Sequence, residues 1–83
     1  MKYIELLKHG IVSLRDLYIL ENLKRRGSLE MPQLTEYPVM DRACVHLACK
    51  RLEKKGFILR TKNGDDRRVV TVSLTDKGHA LPL

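Results

Sequence analysis

Apolar residues follow a helical spacing in the first part of the chain, and β-branched residues replace that pattern after Gly56. A segment over 13–26 carries one apolar stripe and is predicted to be a helix. Ser13 followed by Asp16 resembles a capping box, and Gly27 is suited to end the helix. A separate short helix is predicted over 2–8. The stripe consists of Leu14, Leu17, Tyr18, Leu20 and Leu23.

The middle of the chain predicts a helix-turn-helix over about 31–55. After a short extended segment at 28–30, Pro32 suits the first turn of a brief helix over 31–36. Pro38 ends that helix because it pushes Tyr37 out of the helical region. Asp41 is a good N-cap for a third helix over 42–55, which ends at Gly56.

The pattern after Gly56 predicts a β-hairpin wing over about 57–74. Its strands are 57–61 and 68–74, joined by a turn cluster at 62–66 that contains Asn-Gly. Thr75 is suited to cap a last helical turn, interrupted by Gly78. With 83 residues the chain has room for one small domain, 1–83. The predicted fold is α+β, mostly α: a three-helix core plus a β-hairpin wing, or winged helix-turn-helix.

At 100° per residue, the third helix divides into two faces. A recognition helix needs this division, because one face anchors it and the other reaches base edges and phosphates. An ordinary amphipathic surface helix shows the same division, and the turn before it and the wing after it favour recognition. The predicted buried face is Val45, Ala48, Cys49 and Leu52. The opposite face is Ala43, His46, Leu47, Lys50 and Lys54, with Arg42 towards the flank.

The whole formal net charge of +6 lies in residues 42–68, which hold nine basic and three acidic side chains. A solvated basic face and a phosphate-binding surface both explain such a cluster. The predicted helix and wing favour the second, with double-stranded DNA as partner. At the wing tip, Asp65 and Asp66 precede Arg67 and Arg68, where a carboxylate can orient an arginine for a minor groove. A solubilising turn of mixed charge is the alternative there.

Other chemistry is not indicated. No apolar run is long enough to span a bilayer, and the N-terminus is not a convincing signal peptide, so we expect a cytoplasmic protein whose cysteines stay reduced. No phosphate loop or nucleophile motif is present, and we expect neither an enzyme nor a cofactor. Cys44, His46 and Cys49 point in diverging directions on a helix, so we expect no metal site. Cys44 is either a redox switch or a half-buried small residue.

Three stretches of the sequence resemble the MarR-type family of winged helix-turn-helix transcription regulators. They are Arg51-Leu52-Glu53-Lys54-Lys55-Gly56-Phe57-Ile58, Asp65-Asp66-Arg67-Arg68 and Val72-Ser73-Leu74-Thr75-Asp76-Lys77-Gly78. The likeness runs from about Ile11 to Leu81. It implies that the segment from Arg42 to Lys50 enters a major groove. It also implies that Asp66 positions Arg67 or Arg68 in the flanking minor groove.

The sequence departs from the family pattern in two places. Ala43, Cys44, His46 and Leu47 stand where the family usually has Ser, Thr and Arg. Family members usually dimerise through helices at both ends, whereas this sequence stops at Leu83, just after the wing. We therefore expect a minimal form that lacks the C-terminal dimerisation helices.

The predicted function is a sequence-specific, double-stranded DNA-binding transcription regulator of the repressor type. We expect a homodimer, because the core is small and operator sites have two-fold symmetry. The alternative is a winged-helix protein–protein interaction module that binds an acidic partner through Leu47 and the basic face. The predicted DNA-binding residues are Arg42, Ala43, His46, Leu47, Lys50, Arg51, Lys54, Arg60, Lys62, Asp66, Arg67 and Arg68.

Overall fold

The computed structural model describes residues 2–11, 13–35, 41–62, 64–65 and 69–83, without the side chains of Lys2 and Tyr3. The order of the elements confirms the predicted α+β, mostly helical fold with a hairpin wing. Among the described residues, no helix has both the length and the hydropathy needed to traverse a bilayer. The elements are α1 (Lys2–Lys8), α2 (Leu14–Arg26), β1 (Leu29–Glu30), α3 (Met31–Leu34), α4 (Arg42–Lys54), β2 (Ile58–Lys62), β3 (Val70–Leu74) and α5 (Asp76–His79).

Helix α2 covers the segment predicted for it. The Ser13 hydroxyl caps its start by accepting a hydrogen bond from the backbone N–H of Arg15 at 3.2 Å. Gly27 ends it with φ 81°, and its N–H donates to the Leu23 carbonyl oxygen at 2.9 Å. The predicted capping box is wrong, because Asp16 is buried and its carboxylate accepts a hydrogen bond from Arg51 of α4.

Helix α3 is shorter than predicted. It starts with a capping box between Glu30 and Gln33, in which the Glu30 N–H donates to the Gln33 side chain at 2.8 Å. It ends at Leu34, where the prediction extended it to residue 36. The backbone N–H and the hydroxyl of Thr35 both donate to the Pro32 carbonyl oxygen, at 3.2 and 2.9 Å, and close the last turn. The turn predicted at Tyr37 and Pro38 lies outside the described residues.

The sheet has three antiparallel strands in the order β1-β3-β2. Strand β2 is shifted by one residue, from the predicted 57–61 to Ile58–Lys62, and β3 is Val70–Leu74, where the prediction began it at 68. Ile58 pairs with Leu74 and Lys62 with Val70, which gives the hairpin its register. The extended segment before α3 is β1, and its Leu29 pairs with Val72. The hairpin is therefore hydrogen-bonded, through β3, to the segment that directly precedes α3.

The core lies between α2, α4 and the inner face of the sheet. Helix α4 contributes the buried face predicted for it, and α1 adds Leu6 to the same cluster. Phe57, at the junction of α4 and β2, is also almost fully buried. The buried side chains include Leu17, Ile19, Leu20, Leu23, Val45, Leu52, Phe57, Ile58 and Val72.

The short helix α5 packs against the junction of α4 and β2. The Thr75 hydroxyl accepts from the Gly78 N–H at 3.1 Å and donates to the Gly56 carbonyl oxygen at 2.5 Å. The prediction that Gly78 interrupts this helix is wrong, because Gly78 lies inside α5. It is buried against the Phe57 backbone, where a Cβ would not fit. Its missing side chain is what allows α5 to pack closely.

Candidate nucleic-acid interface

Helix α4 begins at a well-formed cap. Asp41 accepts a hydrogen bond from the Cys44 backbone N–H at 2.8 Å, and the Cys44 thiol lies 3.4 Å from its other carboxylate oxygen. The backbone hydrogen bond from Cys44 is the main cause that lowers the pKa of Asp41. An ionised carboxylate also suits the positive end of the helix dipole. The start of the helix is thus fixed at Arg42.

The two faces of α4 are those that the spacing predicts. Val45, Ala48, Cys49 and Leu52 are fully buried. The other face is exposed, and Leu47 stands out because 58% of it is accessible. Within the described part of the chain, Lys50 and Lys54 form no ion pair. The exposed face is Arg42, Ala43, His46, Leu47, Lys50 and Lys54.

An ion pair ties one flank of α4 to α2. Nη2 of Arg51 lies 2.8 Å from Oδ1 of Asp16. The Asp16 side chain is 1% exposed, whereas the Arg51 side chain is 47% exposed. The pair therefore has its negative end in the core and its positive end at the surface.

A second ion pair ties the other flank to the wing. Arg60 of β2 donates from Nε and Nη2 to Oε1 of Glu53, at 3.1 and 2.8 Å. These hydrogen bonds lower the pKa of Glu53 and raise that of Arg60. Both partners are partly exposed, so the pair lies at the surface.

Two grooves run beside α4. One, of about 280 Å³, lies between α3, the start of α4 and β3, and Pro32, Arg42, His46 and Val70 line it. A more open groove, of about 550 Å³, lies at the C-terminal half of α4. Leu47, Lys50, Arg51, Lys54, Glu53 and Arg60 line it. Basic side chains therefore border both sides of the exposed face.

The structure brings most of the predicted DNA-binding residues to one side of the molecule, although their contact with DNA stays a prediction. Arg42, Ala43, His46, Leu47, Lys50 and Lys54 share the face of α4. Arg51 lies on its flank, and Arg60 and Lys62 are on β2. Asp66, Arg67 and Arg68 lie outside the described residues. Sequence reasoning missed Asp16 and Glu53, which hold two of the arginines. The seven-residue spacing of Glu53 and Arg60 across the end of a helix is a weak sequence signal for their ion pair. No sequence signal indicates that Asp16 pairs with Arg51.

The cysteines differ in their surroundings. Cys49 is buried, and desolvation raises the pKa of its thiol to about 11. Cys44 is half-buried beside Asp41. The described residues contain no cluster of three or more His, Cys, Asp or Glu side chains able to hold a metal ion.

Several known proteins are similar to this chain. The repressor MdtR of Bacillus subtilis, described as HTH-type and transcriptional, is 41% identical over 86% of this chain and 45% of its own length. The crystal structure of Bacillus subtilis YusO matches with a TM-score of 0.82 and 38% identity, over 94% of this chain and 55% of YusO. A structure of Bordetella bronchiseptica BpsR, whose DNA binding is regulated by 6-hydroxynicotinic acid, matches with a TM-score of 0.80 and 25% identity. That match covers 88% of this chain and 55% of BpsR.

The chain thus spans about half the length of these relatives. A family model described as "MarR family" matches residues 6–70, a region that runs from Leu6 in α1 to the first residue of β3. The family resemblance stated from the sequence motifs is therefore confirmed, and the chain belongs to the MarR family.

Proposed function

We propose that the chain is a sequence-specific regulator of transcription that binds double-stranded DNA. Helix α4 enters a major groove, and the wing lies along the neighbouring minor groove. The observation that carries the proposal is the exposed face of α4, which is basic and backed by a fully buried apolar face. Two relatives also support the proposal: MdtR is named as a transcriptional repressor, and BpsR binds DNA.

The side chains on that face divide by what they can contact. Lys50 and Lys54 are exposed and suited to phosphates, which supply sequence-independent affinity. Ala43 is small and allows close approach to a thymine methyl, and His46 can donate to a base acceptor. Asp66, Arg67 and Arg68 remain the predicted wing contacts.

The proposal is tested with a duplex selected from a random pool by the protein itself. Its binding is measured by fluorescence anisotropy over a series of salt concentrations. Lys50→Gln should weaken binding and reduce the slope of log affinity against log salt by about 1. Arg67→Gln tests the wing in the same way. If the variant that combines Lys50→Gln with Arg67→Gln binds the duplex as tightly as the parent at moderate salt, the proposal fails.

Lys8→Gln is a matched control for Lys50→Gln. It also removes one positive charge, but from α1, where Lys8 is exposed and pairs with Glu5 at 3.4 Å. An exposed pair of this kind contributes little to stability. Lys8→Gln should therefore leave both the affinity and the salt slope close to those of the parent.

We also propose that two copies bind together as a homodimer in the cytoplasm. A dimer matches the two-fold symmetry of operator sites, and Ile4 and Leu7 of α1 leave 49% and 55% of their surface exposed. The unpaired thiols of Cys44 and Cys49 suit a reducing compartment. Sedimentation should show a dimer with DNA present. A monomer at high micromolar concentration, with and without DNA, would reject this part.

A protein-binding role for the same surface is the second candidate. It is favoured by Leu47, whose apolar side chain is largely exposed and lines the same groove as Lys50 and Lys54 of the basic face. Capture of partners from cell extract, with and without nuclease, separates the two. A partner retained after nuclease treatment favours a protein, and one lost favours DNA.

A further inference from the structure

We infer that Asp16 is a positioning residue that holds the Arg51 guanidinium in place for a phosphate of the bound duplex. The inference rests on the proposed DNA binding and deepens it. It adds a buried acidic residue, on a helix behind α4, to a surface otherwise defined by exposed basic residues.

Asp16 is a buried acidic residue. It lies on α2, and its side chain is 1% exposed. A carboxylate removed from water is costly unless it is paired and hydrogen-bonded. Nη2 of Arg51 supplies that partner at 2.8 Å. The location of the carboxylate thus determines where the guanidinium rests.

Stability alone is a weak reason for such a pair. Replacing a buried ion pair by apolar residues of similar volume is often neutral or stabilising. What the pair does supply, and what two apolar side chains would not, is a fixed orientation for a cation. The Arg51 side chain spans from the core contact to a half-exposed position on the flank of α4.

The pair points its cation towards the proposed DNA-binding face. Arg51 shares its open groove with Leu47, Lys50 and Lys54 of the proposed DNA-binding face. A guanidinium carries five N–H donors in a planar fork, and the recorded contact with Asp16 uses one of them. The fork matches phosphate geometry and can bind it with two parallel hydrogen bonds. A side chain that is already ordered loses less freedom when it binds.

The pair between Glu53 and Arg60 provides the contrast. There the carboxylate is 35% exposed and accepts from both Nε and Nη2 of Arg60. Its negative charge therefore lies at the surface, where it offsets the attraction of the Arg60 guanidinium for DNA phosphates. Asp16 lies behind Arg51 instead, so this pair presents its positive end outwards.

The experiment uses the duplex and the anisotropy assay described above, at a temperature well below the lowest melting point of the variants. Asp16→Asn keeps the shape of the side chain but releases the charge that holds Arg51. It should weaken binding by about threefold to tenfold. Long-range electrostatics alone predicts the opposite sign, since removal of an acidic residue raises a net charge of +6. Tighter or unchanged binding by Asp16→Asn would overturn the inference.

Two further variants separate positioning from a purely structural role. Arg51→Gln should reduce the salt slope by about 1, as expected for a lost phosphate contact. The double variant D16L/R51M keeps the net charge and replaces the pair by packing. If the pair served only the fold, D16L/R51M would bind like the parent, and that result would also overturn the inference. We expect it to fold and to bind as weakly as Arg51→Gln.

Lys50→Gln distinguishes failure of this inference from failure of the proposed function. If Lys50→Gln weakens binding while Asp16→Asn and Arg51→Gln do not, DNA binding stands and Asp16 has no part in it. If all three bind like the parent, the proposed contact of the α4 face with DNA falls, and the inference falls with it.

Discussion

Replacing Gly78 by alanine should destabilise the chain through one steric contact. A Cβ at this position would overlap the Phe57 carbonyl oxygen, and it would lie 3.0 Å from Cδ2 of Leu74 and 3.2 Å from the Phe57 carbonyl carbon. The carbonyl oxygen cannot simply retreat, because it accepts the Thr75 N–H at 3.0 Å. Thr75 is also the N-cap of α5. The added methyl therefore disturbs both the junction after α4 and the start of α5.

Three contributions determine the size of the effect. Overpacking a well-filled site costs about 1–3 kcal/mol, and weakening the Thr75 hydrogen bond costs about 1 kcal/mol. The higher helix propensity of alanine offsets about 1 kcal/mol. The net loss is about 2 kcal/mol. For a domain of this size each kcal/mol corresponds to about 4–8 °C, so the melting temperature should fall by about 8–16 °C.

Thermal unfolding followed by far-ultraviolet circular dichroism measures this change. Gly64→Ala is the matched control, because a Cβ at Gly64 would meet no atom within 4 Å. It should melt close to the parent. If Gly78→Ala melts at or above the temperature of the parent, α5 does not pack on Phe57 as described, and the steric argument is refuted.

Two further predictions concern titratable groups. At mildly alkaline pH, the native protein should be alkylated at Cys44 only, because Cys49 is buried and the pKa of its thiol is raised to about 11. Mass spectrometry that finds rapid labelling of both cysteines in the native protein would contradict this. Arg60 lowers the pKa of Glu53 below its ordinary value of 4.5, so the pair stabilises the fold above that pH and its effect is lost as the pH falls through the lowered pKa. The stability difference between parent and Glu53→Gln should therefore shrink on acidification, and a difference constant with pH in denaturant unfolding would count against it.

The parts of the fold that depend on neighbours in sequence were predictable. The two faces of α4 follow from the spacing of its apolar residues, and its ends follow from Asp41 and Gly56. The hairpin follows from β-branched alternation on either side of an Asn-Gly turn cluster. In each case the signal lies within a few residues of the feature that it predicts.

The errors fall where a residue has a distant partner. Asp16 stands where a capping residue would, but its partner is 35 positions away, and no local rule pairs them. Glycine usually weakens a helix, so Gly78 predicted a break. Its place inside α5 is explained by the close approach of the Phe57 backbone, which leaves no room for a side chain. The two residues of β1 are too few to show alternation, so their pairing with β3 was not foreseeable.

The candidate site divides in the same way. Exposure of Lys50 and His46 follows from helix geometry, whereas the states of Arg51 and Arg60 depend on carboxylates brought from α2 and from the end of α4. Composition identifies these arginines as basic. It does not distinguish a cation with an acidic neighbour at the surface from one whose acidic neighbour lies in the core.

The order of the strands determines how movement passes through the molecule. Strand β3 hydrogen-bonds to β2 on one side and to β1 on the other, and β1 runs directly into α3 at Met31. The amides on the β1 edge of β3 cannot open to solvent exchange unless β1 detaches. We therefore expect the hairpin and α3 to open together in hydrogen exchange. The backbone pairing of β1 with β3 therefore links the hairpin directly to α3, in addition to the Glu53–Arg60 pair that links it to α4.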